Sequence, residues 1–79
     1  MPTILRIGAY RFFFYSDEGT EPPHVHVRSG GKTAKFWLQP ISLQKGGRFN
    51  KRELNQIQRI IEQHQAELLE EWYGYFSNN

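Results

Sequence analysis

Seventy-nine residues with a net charge of +2 and no cysteine exclude disulfide staples and thiolate metal ligands, and leave packing around one small core to hold the chain together. A chain of this length buries ~60–65 % of its unfolded surface, which is room for only a few elements. No run approaches the ~18 consecutive apolar residues of a membrane span, and the start "MPTILRIGAY" carries no charged-then-apolar leader; the expectation is one soluble, cytoplasmic domain over residues 1–79 with no membrane contact.

In chain order, Thr3 to Ile7 is a short β-rich run that stops at Gly8, and "YRFFFYS" (Tyr10–Ser16) is dense in the aromatics that favour strands. "DEGTEPP" interrupts with Gly19 and two prolines, which predicts a loop, and Pro22-Pro23 hold the chain extended as it leaves that loop. His24 to Arg28 and Lys32 to Gln39 flank "SGG", a hairpin signal, because glycine supplies the positive φ angles of a two-residue turn. With Gly30 and Gly31 as the loop, Ser29 faces Lys32, Val27 faces Ala34, His26 faces Lys35, Val25 faces Phe36 and His24 faces Trp37. Opposed residues share a sheet face. One face therefore reads Val25, Val27, Ala34, Phe36, Leu38, and the other reads His24, His26, Arg28, Lys35, Trp37, Gln39. A slip of one residue would mix the two sets, so the pattern itself argues for this register.

After Pro40, "ISLQKGGRF" predicts a short edge strand and a Gly-Gly turn. Asn50 is a favoured N-cap with Glu53 three residues on, and Leu54, Ile57, Ile61, His64, Leu68 and Trp72 recur at helical spacing. A single helix to about Tyr73, ended by Gly74, follows. The predicted fold class is α+β: a three- or four-stranded, mostly antiparallel sheet with one long C-terminal helix packed on one face. The other face then has no cover, and it carries His24, His26, Arg28, Lys35, Trp37 and one alternate set from "YRFFFYS", either Tyr10, Phe12 and Phe14 or Arg11, Phe13 and Tyr15.

Charge is distributed unevenly. Pro22 to Arg52 holds seven basic residues and no acidic one, whereas Ile60 to Asn79 holds four glutamates and no lysine or arginine. The basic stretch would attract an anionic partner; the bland alternative is a solvated surface whose two ends pair with each other. Three chemistries fit the uncovered face. Aromatics interleaved with basic residues would bind RNA or a protein partner, including a second copy as a homodimer, through His24, His26, Arg28, Lys35 and Trp37. Two histidines beside a lysine and an arginine would also serve as acid and base in metal-independent RNA cleavage, making His24 and His26 catalytic. Finally, His-x-His places two imidazoles on one strand face, a spacing used for zinc, and His64 is the one further histidine available as a third ligand. The register argues against that third option, since His64 sits on the stripe facing the sheet. Walker loops, serine nucleophile motifs and paired catalytic carboxylates are absent.

"MPTI" (Met1–Ile4), the aromatic strand, "PPHVH" (Pro22–His26), the glycine pair at Gly30-Gly31 and "HQAELLEEW" (His64–Trp72) together resemble a family of small bacterial proteins, domain of unknown function 4160. The likeness runs nearly the full length, with a longer segment than usual between Ile41 and Asn50. It implies a compact sheet-plus-helix domain and no established activity. It also implies a gene found beside another small protein, and so a toxin–antitoxin-like or regulatory pair. Pro22, Pro23, His24, His26, His64 and Trp72 correspond to the family's motif positions. Through His64, the resemblance pulls the two strand histidines toward the helix, against the register. The leading expectation is a non-enzymatic binding module without a cofactor, followed by an RNA-cleaving toxin and a three-histidine zinc protein.

Overall fold

A computed structural model describes residues 3–77 of the chain; of the opening "MPTI", Met1 and Pro2 lie outside the described residues. Five strands, β1 (Thr3–Ile7), β2 (Tyr10–Phe13), β3 (His24–Ser29), β4 (Lys32–Leu38) and β5 (Ile41–Lys45), form one antiparallel sheet in the order β1-β2-β3-β4-β5. Each strand pairs with its neighbour in sequence. Gly8 and Gly30 take positive φ at the β1–β2 and β3–β4 turns while Gly31 does not, so the second turn is of the type with positive φ at its first position only. The β3–β4 register is the one the alternation requires, from Ser29 opposite Lys32 to His24 opposite Trp37.

Val25, Val27, Ala34, Phe36 and Leu38 are all buried on one face, joined by Phe12 from β2. Two helices cover that face, α1 (Lys51–Gln63) and α2 (Gln65–Phe76), with Ile57, Ile61 and Leu68 fully buried against the sheet. Asn50 caps α1 as expected: its side chain accepts the Glu53 N–H at 2.8 Å and the Glu53 carboxylate accepts the Asn50 N–H at 3.0 Å. Gly47, at φ 59°, lies so close to the Thr33 carbonyl that a Cβ would run into it, which makes glycine obligatory in the turn between β5 and α1.

Three features differ from the sequence expectation. The sheet has five strands rather than three or four, because β1 and β5 both pair as edges. The long helix is two helices: His64, at φ −117° and ψ 17°, leaves the helical region, and its N–H is shared between the Ile60 and Ile61 carbonyls. Neither glycine nor proline marks that break; beyond it the Gln65 side chain donates to the Leu38 carbonyl at 2.7 Å, tying the new helix to the end of β4. Gly74 does not end α2, which runs on to Phe76.

The break redirects the chain so that the far half of α2 closes the end of the sheet where β3 begins. Trp72, 3 % exposed, packs on Phe14 (5.3 Å between ring centroids), Phe76 (4.4 Å) and His24 (4.8 Å). The loop between β2 and β3 lies against the same aromatic group, where a Cβ on Gly19 would meet the Phe76 ring. The open face of the sheet is therefore covered at one end. Among the described residues, no helix is long and apolar enough to cross a membrane.

Candidate functional site

The geometry at the covered end starts from the double proline. His24 follows it as the first residue of β3, and its Nδ1 lies 3.0 Å from the Pro22 carbonyl oxygen. A carbonyl only accepts, so Nδ1 carries the proton and, in the neutral ring, Nε2 presents a lone pair. That Nε2 is fully buried and 2.9 Å from Glu18 Oε1, yet the two are out of line for a hydrogen bond. His26, two residues on and on the same face, brings its Nε2 to 2.9 Å from Glu18 Oε2 and 3.1 Å from Oε1. Glu18 thus sits between two imidazoles.

The loop puts it there by folding back on itself. The Glu18 N–H donates to the Tyr15 carbonyl at 3.3 Å, the Tyr15 N–H donates to Glu18 Oε1 at 2.9 Å, and the Glu21 N–H donates to the Glu18 carbonyl at 3.1 Å. Burial is the strongest influence on the Glu18 carboxyl and pushes its pKa up. The Tyr15 N–H, then His26 and, when its ring is protonated, His24, together outweigh it and hold the group below its ordinary value. Aromatic rings enclose the cluster: Phe13 stacks on His26 at 5.5 Å, Tyr15 meets His26 edge-on at 4.9 Å, and Trp37 and Trp72 contact His24.

Both sequence arguments about the histidines hold in part. The register is right, and His24 and His26 stand on the face away from α1. The helical segment also reaches His24, but through Trp72 and not His64. His64 is half-buried at the joint between α1 and α2, with its Nδ1 3.2 Å from Glu67 Oε1; about 12 Å of helix separates it from Trp72. The three-histidine option, which the register opposed and the resemblance favoured, does not assemble: among the described residues, the group whose donor atoms all lie within 4.8 Å of one another is Glu18, His24 and His26. Glu18 was missed, although three acids (Asp17, Glu18 and Glu21) in a turn-prone loop just ahead of His-x-His were a usable signal. For acid–base work on RNA the two histidines are poorly placed, since both Nε2 atoms face Glu18 and His24 has no exposed surface. For the same reason His24 drops out of the expected partner-contact set, leaving Arg28 exposed and His26, Lys35 and Trp37 half-buried.

The other end of the open face is cationic. Of the two alternate sets in "YRFFFYS", the one on this face is Arg11, Phe13 and Tyr15: Arg11 pairs with Arg28 across to β3 and with Arg6 across to β1. Three arginines thus stand in one row over three adjacent strands. Like charges directly opposed in a sheet repel. None of the three makes an ion pair among the described residues, and Arg11 Nε is buried without a hydrogen-bond partner. The Arg11 and Arg28 guanidiniums instead lie 5.4 and 5.7 Å from the Phe13 ring centroid, which supports them without neutralising them. A hollow of about 300 Å³ opens beside the row. A second, of about 480 Å³, continues along the face past Tyr15, His26, Arg28, Lys35, Gln44 and Lys45. Lys35 is the exception among these cations, paired with Glu21 at 2.7 Å. Arg6 and Arg11 had not been singled out as contact residues, because the sequence left open which alternate set faces outward.

The family model described as a domain of unknown function (DUF4160) matches residues 9–73. The chain belongs to that family. The DUF4160 match takes in β2 to β5, α1 and most of α2, hence Glu18, both strand histidines, Arg11, Arg28 and Trp72, and leaves "MPTI" and Arg6 outside it. No curated protein and no solved structure matches the chain.

Proposed function

We propose that this DUF4160 chain is a binding module that docks a single-stranded RNA along its open sheet face, through Arg6, Arg11 and Arg28 and the neighbouring Lys45. One observation carries the reading: two directly opposed arginine pairs, Arg6–Arg11 and Arg11–Arg28, with no ion pair to any of the three among the described residues. Such a row costs stability in the free protein, and phosphates relieve that cost. It spans about 10 Å, two inter-strand spacings of about 4.8 Å, and the guanidinium planes over Phe13, with Tyr15 beside them, offer bases a surface on which to stack. A twofold dimer through the same face would set arginine row against arginine row, which argues against self-association there. Within the toxin–antitoxin-like or regulatory pair that the resemblance implies, this face makes the chain the RNA-contacting member.

Fluorescence anisotropy with a labelled single-stranded RNA tests it. The expected result is binding at low salt whose log–log salt slope is about −3, as for four phosphate contacts at about −0.7 each. Arg11→Glu with Arg28→Glu should abolish binding while the circular dichroism spectrum is unchanged. Binding that survives this double reversal, or no binding at 50 mM salt or below, would overturn the reading. Capture of an acidic protein in place of RNA would do so too, and would reassign the face.

A further inference from the structure

At the covered end of the sheet, His24 poses a chemical problem that protein groups leave unsolved. Its Nδ1–H is committed to Pro22, so a neutral ring turns a bare lone pair on Nε2 toward a carboxylate oxygen 2.9 Å away. That nitrogen is fully buried and makes no hydrogen bond. A short but misaligned contact between two electron-pair donors is what ligands of one cation show. Each lone pair aims at a common point, not at the other atom.

We propose that Glu18, His24 and His26 form a two-histidine, one-carboxylate site for a divalent transition-metal ion such as Zn²⁺. Three observations converge on it. All three donor groups lie within 4.8 Å of one another. Donors about 2.1 Å from one ion stand about 3.0 Å apart at a right angle and about 3.4 Å apart at the tetrahedral angle. The two Glu18–His separations of 2.9 Å match the first and need only about half an ångström of opening for the second. The outer arrangement also fits: the Nδ1–H of a metal-bound histidine is typically held by a carbonyl or carboxylate, as Pro22 holds that of His24, and this fixes Nε2 as the ligating atom.

The rings of Phe13, Tyr15, Trp37 and Trp72 exclude water from the histidine side. The Glu18 and His26 side chains keep 13 % and 17 % exposure, so the ion's remaining positions open on that side, toward water or a small anionic ligand. Lys35, opposite His26, does not compete with the ion because its ammonium is turned to Glu21. Two imidazoles and a single carboxylate favour zinc and its first-row neighbours over Mg²⁺ or Ca²⁺, which take oxygen donors.

The test uses the full chain, stripped with chelator and dialysed, and titrated with Zn²⁺ alone by calorimetry. Expected are one Zn²⁺ per chain, no heat with Mg²⁺, and, with Co²⁺ substituted, visible absorption bands of a nitrogen-and-oxygen-ligated ion. Glu18→Gln, which keeps shape and removes charge, should weaken Zn²⁺ binding at least tenfold, and His26→Ala should do the same. His64→Ala should leave it unchanged. The proposal fails if the folded chain binds no Zn²⁺ and shows no Co²⁺ bands. It fails equally if Glu18→Gln and His26→Ala bind as tightly as the parent, or if His64→Ala abolishes binding. The Co²⁺ spectrum of the unaltered chain decides the matter even if a variant fails to fold.

Discussion

Where β3 begins, a carboxylate lies between two histidines, rings pack around them, and Trp72 closes the end of the sheet. Further along the same face, from Arg28 two residues beyond His26 across to β2 and β1, three arginines stand side by side and make no ion pair among the described residues. Both ends are built on outward-pointing positions of the same strands, so alternation alone does not separate them. What separates them is the chain that follows: the β2–β3 loop and the far half of α2 fold over one end and leave the other open. The covered end can hold a buried nitrogen; the open end can keep unpaired charge only because water reaches it. Substitutions at the first should register in stability, and at the second in binding.

The largest expected effect is from Trp72→Ala. Removing a 3 % exposed indole that contacts His24, Phe14 and Phe76 should cost about 3–5 kcal/mol in urea unfolding, whereas Trp37→Ala on the half-buried ring opposite His24 should cost clearly less. Equal losses would mean that burial under α2 adds nothing to the contact each indole makes with His24. Glu18→Ala comes next, at about 1–3 kcal/mol measured in chelator, because it strips the Tyr15 N–H of its acceptor and leaves the His26 Nε2 without its partner. At the open end, Arg28→Gln should lie within about 0.5 kcal/mol of the parent and be the more stable of the two at low salt, where the Arg11–Arg28 repulsion is least screened. A clear destabilisation there would show that the arginine row is structural and not held for a partner.

The same contrast explains how much of the molecule was legible in its sequence. The hairpin register and the α1 cap could be read because each is local: a period of two around Gly30, and Asn50 with Glu53 three residues on. β1 was also readable as a run, but its pairing was not, because which face of "YRFFFYS" is buried depends on what packs against it. The break at His64 carries no local mark. It is held in part by a tertiary hydrogen bond, Gln65 to Leu38 across 27 residues, and without it the stripe through His64 predicts a straight helix. That one miss bears on the candidate site: a straight helix keeps His64 on the sheet-facing stripe and gives no cover to His24, while the bent one brings Trp72 to His24, where Glu18 is the third donor. The arginine row was missed on the same ground, since Arg6 and Arg11 become neighbours of Arg28 only through strand pairing.

The smallest predicted effect sharpens the comparison from the helix-covered face, where a cation beside the β3–β4 turn has a carboxylate partner. Lys32, beside the β3–β4 turn, donates to both oxygens of Glu53 at 2.9 and 3.1 Å and so ties the hairpin to the start of α1. The Asn50 N–H, and after it Lys32, hold the Glu53 carboxyl below its ordinary value of 4.5. A carboxylate whose pKa is lowered by folding contributes stability that is fully present above the unfolded value and is lost as pH falls through the folded one. Glu53→Gln retains the capping arrangement, because glutamine also accepts the Asn50 N–H, and removes only the charge. The parent should therefore be more stable than the variant at neutral pH, and the two urea midpoints should converge as pH drops below 4.5 toward the folded value. High salt should narrow the neutral-pH gap as well, since the pair is solvent-exposed in part. A gap that stays constant from neutral to acid pH would assign the role of Glu53 to the cap alone and leave its pair with Lys32 without weight in stability.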